Sequence, residues 1–194
     1  DAKPGKPSSL ESSSALDLRR LVESETIFLK KARGVGDKQA EKNALSALGM
    51  AYTRLGQTQK AIDFFLQELD IAKESGDSKE QGSLLANLGD AYAILGKLDQ
   101  ARKHFEEQKA LATAKGHSAF IGSSYNGLGF VYVKQNKIEK AIDCYLKALA
   151  SYRQQKDHDK ELELLVGIGL NYQKLGKCET ATAFFVQALA TAKY

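Results

Sequence analysis

The stretch NGLGFVY at residues 126–132 contains a Gly-x-Gly, the pattern with which many phosphate-binding loops begin. Glycines suit such loops because the backbone can then approach the phosphate closely. A dinucleotide-binding fingerprint also needs a preceding strand, a third glycine and an acidic residue about 20 residues later. Tyr132 stands at the position of the third glycine, and the segment lies inside a predicted helix. The sequence therefore predicts no nucleotide site and no other cofactor site.

The histidines and cysteines do not form a catalytic or metal-binding pattern. His104 lies in the middle of a predicted helix, whereas His117 and His158 lie in predicted turns. No two histidines are four residues apart beside a carboxylate, and the chain has no Cys-x-x-Cys, so we expect no metal site. Cys144 has the position of a core residue, and Cys178 begins a helix without an evident partner base. We therefore predict that the chain is not an enzyme.

Composition and charge favour a folded helical chain that neither binds nucleic acid nor inserts directly into a membrane. Hydrophobic residues make up 43% and charged residues 27%, and both prolines lie within the first seven residues. The 28 basic and 24 acidic residues are interleaved, which argues against nucleic-acid binding. No apolar run reaches the roughly 18 residues needed to cross a bilayer. Two cysteines without a disulfide pattern indicate a reducing, intracellular location. We expect the cytoplasm by default, or an organelle such as a plastid after removal of a targeting segment.

The chain repeats itself with a period of 40 residues over four copies without insertion. In each copy a Leu-Gly or Ile-Gly pair is followed by a tyrosine, a turn residue, an alanine and an aromatic residue. By column these residues are Gly49, Gly89, Gly129 and Gly169; Tyr52, Tyr92, Tyr132 and Tyr172; Gly56, Gly96, Asn136 and Gly176; Ala61, Ala101, Ala141 and Ala181; and Phe65, Phe105, Tyr145 and Phe185. Agreement in five columns identifies a tandem repeat.

Each copy has the periodicity of two helices. Leu45, Leu48 and Tyr52 fall on one face of a first helix, and a second apolar face follows after a glycine. Gly76 suits the left-handed end of the second helix, and Asp77, with a glutamate three residues later, resembles a capping box. The predicted helices cover residues 41–55 and 58–74, 80–95 and 98–114, 120–135 and 138–154, and 160–175 and 178–193.

The order Leu-Gly-x-x-Tyr, then Gly, then Ala-x-x-x-aromatic is similar to the tetratricopeptide repeat (TPR) and covers roughly residues 39–194. The 40-residue period resembles the repeats of Pins/LGN-type scaffolds. The resemblance implies an all-α, right-handed TPR solenoid of antiparallel helical hairpins, with four full repeats plus an N-terminal half-repeat helix. The expected divisions are a flexible tail at 1–14, the half-repeat helix at 15–38, and repeats at 39–78, 79–118, 119–158 and 159–194.

The two ends of the repeat array lead to separate expectations. The helix within 15–38 matches only the second half of a repeat, and we expect it to cover the open face of the first full repeat. The last helix carries Phe184, Phe185, Val186 and Leu189 without a polar cap. Since solenoids normally have polar caps, further sequence, self-association or a tolerant last helix must cover that face.

By the resemblance, the first helix of each repeat lines a concave groove that binds an extended or helical peptide of a partner protein. The groove residues implied in this way are Asn43, Met50, Arg54, Asn87, Asp90, Asn126, Phe130, Lys134 and Lys174. Asparagines offer a donor and an acceptor to peptide amides, and Met50 and Phe130 offer apolar surface. The basic residues would favour acidic flanks in the peptide. Gly127 and Gly167 are expected to leave room in the groove.

The sequence thus predicts a non-catalytic scaffold or adaptor that binds a protein segment. Two alternatives remain open, a self-associating assembly module that uses the uncapped last helix and a regulatory subunit of a larger enzyme complex. The second helix of repeat 2 also departs from its counterparts, because Arg102, Glu106 and Lys109 replace apolar residues of repeat 1. This face is either more solvated, locally looser or a second docking surface.

Overall fold

A computed structural model describes residues 13–192, and all secondary structure in that range is helical. The helices are α1 (Ser13–Val35), α2 (Lys38–Arg54), α3 (Thr58–Ser75), α4 (Ser78–Ile94), α5 (Leu98–Lys115), α6 (Ser118–Lys134), α7 (Ile138–Gln155), α8 (His158–Lys174) and α9 (Cys178–Thr191). The prediction of an all-α repeat fold is confirmed. Residues 1–12 of the predicted tail lie outside the described residues, whereas Ser13 and Ser14 belong to α1.

The limits of the helices differ from the predicted ones mainly at the start of each first helix. The second helices begin at residues 58, 98, 138 and 178, as predicted, but the first helices begin two or three residues earlier. Aspartates account for three of these earlier starts. The carboxylates of Asp37, Asp77 and Asp157 accept hydrogen bonds from backbone N–H groups of the following first turn, so the helix forms directly after each aspartate.

Residues with positive φ end the helices. Gly76 has a φ of 73°, as its position in the sequence predicts. Two turns of the third repeat use other residues in this conformation, since Asn136 and Lys156 both have a φ of 57°. A side chain at such a position is strained relative to glycine. The positive φ values of Asn136 and Lys156 show that the repeat keeps its turn geometry even where another residue replaces glycine.

The chain forms two compact units, which divide between Ile71 and Ala72 within α3. In the first unit α1 packs against α2, where Leu29 joins a buried cluster with Leu45 and Leu48. The guanidinium of Arg33 also donates hydrogen bonds to Glu41, at 2.8 Å, and to Gln67, at 2.6 Å. Apolar packing and this polar contact both fix α1 on the first full repeat.

In the second unit consecutive helices pack pairwise from α4 to α9, and α4 also contacts α6. The glycine column marks the close approach of the two helices of each repeat. A Cβ atom added at Gly129 would lie 2.5 Å from Cε1 of Tyr145, and one added at Gly89 would lie 2.6 Å from the Phe105 ring. The Gly-x-Gly at residues 127–129 is therefore a packing seam inside α6.

The polar second helix of repeat 2 makes local contacts. Arg102 lies 3.3 Å from Asp99, Glu106 is exposed, and the ammonium of Lys109 lies 5.5 Å from the centre of the Tyr125 ring.

Between residues 13 and 192, no helix is both long and apolar enough to cross a bilayer.

Candidate functional site

A cavity of about 510 Å³ opens between α4, α6 and α8 in the second unit, and we call it the first cavity. Its lining residues are Ala86, Asp90, Ala93, Ile94, Phe105, Ser123, Asn126, Gly127, Phe130, Tyr145, Tyr152, Lys160 and Glu163. The three buried aromatic residues among them belong to the second helices α5 and α7. First helices thus supply the polar and exposed apolar groups, and second helices supply aromatic surface beneath them.

Small residues on the first helices let these aromatic rings reach the cavity. A Cβ atom at Gly127 would overlap the ring of Phe105, so the ring occupies the space that the missing side chain leaves. The expectation that Gly127 leaves room for a ligand is therefore wrong. For Gly167 the expectation holds in geometry, because no atom lies within 4 Å of an added Cβ.

Asp90 places a carboxylate on the α4 wall. Its side chain is open to solvent, yet the surrounding protein removes part of its hydration, and this desolvation raises the pKa of the carboxyl group. Lys160 on α8 partly opposes that shift through its positive charge. No described residue donates a hydrogen bond to the Asp90 carboxylate. A ligand donor at this position would therefore meet an acceptor without a protein partner.

Lys160 and Glu163 form an ion pair on the opposite wall. Nζ of Lys160 donates to Oε2 of Glu163 at 2.7 Å, and this hydrogen bond raises the pKa of Lys160. Asp157 caps the same helix by accepting a hydrogen bond from the backbone N–H of Lys160 at 3.0 Å. Lys160 thus lies in the capped first turn of α8, and the ion pair places a positive and a negative group side by side on this wall.

Asn126 and Phe130 lie one turn apart on α6, between the two charged walls. Asn126 is half-buried, whereas Phe130 leaves 42% of its surface exposed. Ile94 on α4 is exposed as well, at 69%. Nζ of Lys134 lies 5.3 Å from the centre of the Phe130 ring, a cation–π distance. This part of the cavity combines an amide with apolar surface and a positive charge at its edge.

A second cavity, of about 390 Å³, adjoins the first, since Tyr145 lines both. Its lining residues are Val133, Tyr145, Gly167, Leu170, Asn171, Gln173 and Lys174. Leu170 is 48% exposed, whereas Asn171 is only 5% exposed. Burial raises the pKa of Tyr145 to about 12, so its hydroxyl group stays protonated at neutral pH.

The structure brings together some of the predicted groove residues and leaves others apart. Asp90, Asn126 and Phe130 line the first cavity, Lys134 lies at its edge, and Lys174 lines the second. Asn87 is exposed on α4 and is not among the described residues that line either cavity.

The remaining predicted residues lie in the first unit. Oδ1 of Asn43 accepts a hydrogen bond from Gln39, and Met50 is 55% exposed. Arg54 lines a cavity of about 470 Å³ together with residues of α1, including Asp17 and Leu21.

Sequence reasoning missed Lys160, the buried tyrosines and Asn171. The tyrosines belong to second helices, which the resemblance does not assign to the groove. A signal for Asn171 was available, because Ala51, Ala91 and Val131 occupy its column in the other copies. A polar residue that replaces a buried apolar one in a single copy indicates a local role.

The residues considered for catalysis lie apart from these cavities. His117 lies 3.0 Å from Oγ of Ser78, and His104 stacks on Tyr92, where burial lowers the pKa of its imidazole. Cys144 is buried, which raises the pKa of its thiol, and Cys178 is exposed. In the described range no group of three or more His, Cys, Asp or Glu residues could hold a metal ion.

Comparison with protein families gives a match to the tetratricopeptide repeat at residues 40–115, 80–154 and 120–193. These three overlapping windows each begin 40 residues after the preceding one. No curated protein matches the chain at a significant level.

Solved structures show the same fold at low sequence identity. BtubC from P. vanneervenii is 20% identical with a TM-score of 0.77, over 91% of this chain and 74% of that one. The apo form of RapI is 16% identical with a TM-score of 0.84, over 92% of this chain and 50% of RapI. The Rap conjugation gene regulator of plasmid pLS20, solved with the Phr* peptide, is 18% identical with a TM-score of 0.69, over 100% of this chain and 59% of the regulator.

Proposed function

Because the chain belongs to the tetratricopeptide repeat family, we propose that it is a non-catalytic scaffold that binds a peptide segment of a partner protein. The observation that carries this proposal is the first cavity, where Asp90, Asn126 and Phe130 meet above buried aromatic rings. A concave surface that combines apolar area with a few placed polar groups is typical of binding sites. The peptide held by the Rap regulator supports the proposal at the level of the fold.

The charges of the two cavities fit a peptide segment that has a basic or hydrogen-bond-donating group at one end and acidic residues at the other. Asn126 can donate to a peptide carbonyl and accept from a peptide N–H, and Phe130 offers surface to an apolar side chain. The Asp90 carboxylate favours a hydrogen-bond donor or a basic side chain. Lys134 and Lys174 favour acidic residues at the other end of the segment.

The other predicted residues stay part of the proposal as candidate binding residues. Asn43, Met50 and Arg54 offer polar and apolar groups in the first unit, and Asn87 does so in the second. The closer resemblance to Pins/LGN-type repeats rests on the sequence pattern and belongs to the proposal too.

The test is selection from a random nonapeptide library on the purified chain, followed by fluorescence anisotropy with a selected peptide. We expect Phe130→Ala and Asn126→Ala each to weaken binding by about tenfold, the size typical of a central interface contact. Leu146→Ala is the matched control, because Leu146 has a similar exposure of 38% on α7 but lines neither cavity. Circular dichroism must show that all variants remain helical.

The possible outcomes separate the proposal from its alternatives. If the selected peptides bind Phe130→Ala and Asn126→Ala as tightly as the unchanged chain, the first cavity is not the binding site. If no peptide is selected, capture of short segments is wrong. A mass that rises with concentration would then favour the self-associating module, and co-purification with an enzyme would favour the regulatory subunit.

A further inference from the structure

Two carboxylates line the first cavity at positions where the other repeats have uncharged residues. The counterparts of Asp90 are Met50, Phe130 and Leu170, and those of Glu163 are Asn43, Ser83 and Ser123. Asp90 belongs to α4 and Glu163 to α8, and both line the same cavity. The other copies form the same helical hairpin without these charges. The fold of the repeat therefore does not require either carboxylate.

The charges of the lining leave Asp90 uncompensated. Nζ of Lys160 donates to Oε2 of Glu163 at 2.7 Å, so these two opposite charges are paired on the α8 wall. No described residue donates a hydrogen bond to the Asp90 carboxylate, and Lys160 attracts it only at longer range. Desolvation outweighs this attraction and raises the pKa of Asp90. A positive group placed beside Asp90 would offset the cost of its desolvation.

Apolar side chains share the lining with Asp90. Ile94 follows one turn later on α4, and Phe130 lies on α6, which packs against α4. Both side chains are exposed. Lys134, near the Phe130 ring, is exposed to solvent and lies outside the lining, so water screens its charge. The cavity therefore suits a side chain that is aliphatic along its length and positively charged at its end.

We propose that the first cavity selects a segment with a lysine or arginine side chain, and that Asp90 is the residue that determines this specificity. The ammonium or guanidinium group of the ligand donates to the Asp90 carboxylate, and the stem of the side chain lies against Ile94 and Phe130. Glu163 stays paired with Lys160. This inference rests on the proposed peptide-binding function and narrows the ligand group at Asp90 from any hydrogen-bond donor to a cation.

The test begins with parallel selections from a random nonapeptide library on the unchanged chain and on Asp90→Leu. Leucine is the residue of the fourth repeat in this column, so the repeat accommodates it. A fluorescein-labelled peptide selected on the unchanged chain is then compared with a version in which norleucine replaces its basic residue. Norleucine keeps an aliphatic stem and removes the charge. Fluorescence anisotropy measures both peptides on the unchanged chain, Asp90→Asn and Lys160→Gln, and circular dichroism confirms that each variant is helical.

Peptides selected on the unchanged chain should carry lysine or arginine at one fixed position, and those selected on Asp90→Leu should carry an apolar residue there. Asp90→Asn and the norleucine replacement should each weaken binding by about tenfold. Together they should weaken it little further, because both remove the same ion pair. Exchange of lysine and arginine at that position shows which cation binds more tightly.

Two further variants separate the ion pair from general effects of charge. Lys160→Gln should tighten binding of the basic peptide by about twofold or more, because it removes a repelling charge and frees Glu163. Asp99→Asn is the matched control, since it removes a carboxylate from α5 that lines neither cavity. It should bind the peptide as tightly as the unchanged chain does.

Contrary results are distinct for the inference and for the proposed function. If the selected peptides share no basic residue, or if Asp90→Asn binds them as tightly as the unchanged chain, the inference is wrong and peptide binding stands. Weaker binding of the basic peptide to Lys160→Gln would show that the cavity does not favour a cation, which also overturns the inference. If the unchanged chain selects no peptide, the proposed function fails and this inference fails with it.

Discussion

At the scale of residues, Asp90 shows a conflict between stability and binding. Desolvation by the cavity walls raises the pKa of its carboxyl group, so the ionised form is disfavoured in the folded chain relative to the unfolded chain. The folded state therefore holds this proton more tightly, and stability declines as the pH rises from the unfolded to the folded pKa. The charge that makes the cavity suitable for a ligand donor costs stability in the free chain.

Asp90→Asn should therefore stabilise the free chain at neutral pH. The gain should shrink as the pH falls and vanish below the ordinary aspartate pKa, where the unchanged side chain is protonated in both states. Thermal unfolding followed by circular dichroism at neutral and acidic pH measures this difference. Asp99→Asn is the control, because it removes the same charge from a side chain that is 86% exposed. Equal shifts for the two variants would show that Asp90 is not desolvated.

Among the helices, the glycines of the first helices fall into two classes. Some allow close packing against an aromatic ring, and others face open space. Gly129 lies against the Tyr145 ring, where an added Cβ would be 2.5 Å from the nearest carbon, whereas Gly167 faces open space. Alanine is favoured over glycine by about 1 kcal/mol inside a helix. The same substitution should therefore have opposite signs at these two positions.

Gly129→Ala should lower the free energy of unfolding by about 1–2 kcal/mol, because overpacking against Tyr145 outweighs the gain in helix propensity. Gly167→Ala should raise it by up to about 1 kcal/mol. Urea unfolding with helicity as the signal measures both. A Gly129→Ala variant as stable as the unchanged chain would mean that α6 and α7 separate without cost.

Much of the repeat architecture follows from the sequence. The 40-residue period repeats the helix, turn and core columns together. The first helices begin two or three residues before the predicted positions, and in three of the four an aspartate cap such as Asp77 accounts for the earlier start. The contacts of Arg33 with Glu41 and Gln67 were not predictable, because long side chains on three helices meet only in the fold. The family resemblance predicts Asp90, Asn126 and Phe130 as groove residues, and all three line the first cavity.

The buried aromatic rings that line the first cavity do not follow from the resemblance, because it assigns only the first helices to the groove. Tyr145 and Tyr152 belong to α7, and the Tyr145 ring lies in the space that the missing side chain of Gly129 leaves on α6. Asn171 could have been found by comparing the four copies column by column, but its unused acceptor could not. Sequence periodicity predicts which face a residue lies on, and packing decides which groups remain available there.

For the molecule as a whole, α9 is the candidate surface for self-association. Leu189 is 62% exposed and Val186 is 61% exposed, whereas Leu149, forty residues before Leu189, is buried against α8. No described helix covers this face of α9. A stable interface usually buries about 800 Å² on each partner, and these two side chains provide only a small part of that area.

We therefore expect the chain to remain monomeric from low micromolar to several hundred micromolar concentration. Light scattering coupled to size-exclusion chromatography measures the mass, with a reductant present because Cys178 is exposed and could form disulfide-linked dimers. Leu189→Glu should change neither the mass nor the affinity for a selected peptide. If the mass of the unchanged chain rises with concentration and Leu189→Glu restores the monomer, α9 is an assembly surface. The self-associating module would then replace the monomeric adaptor as the better description of this protein.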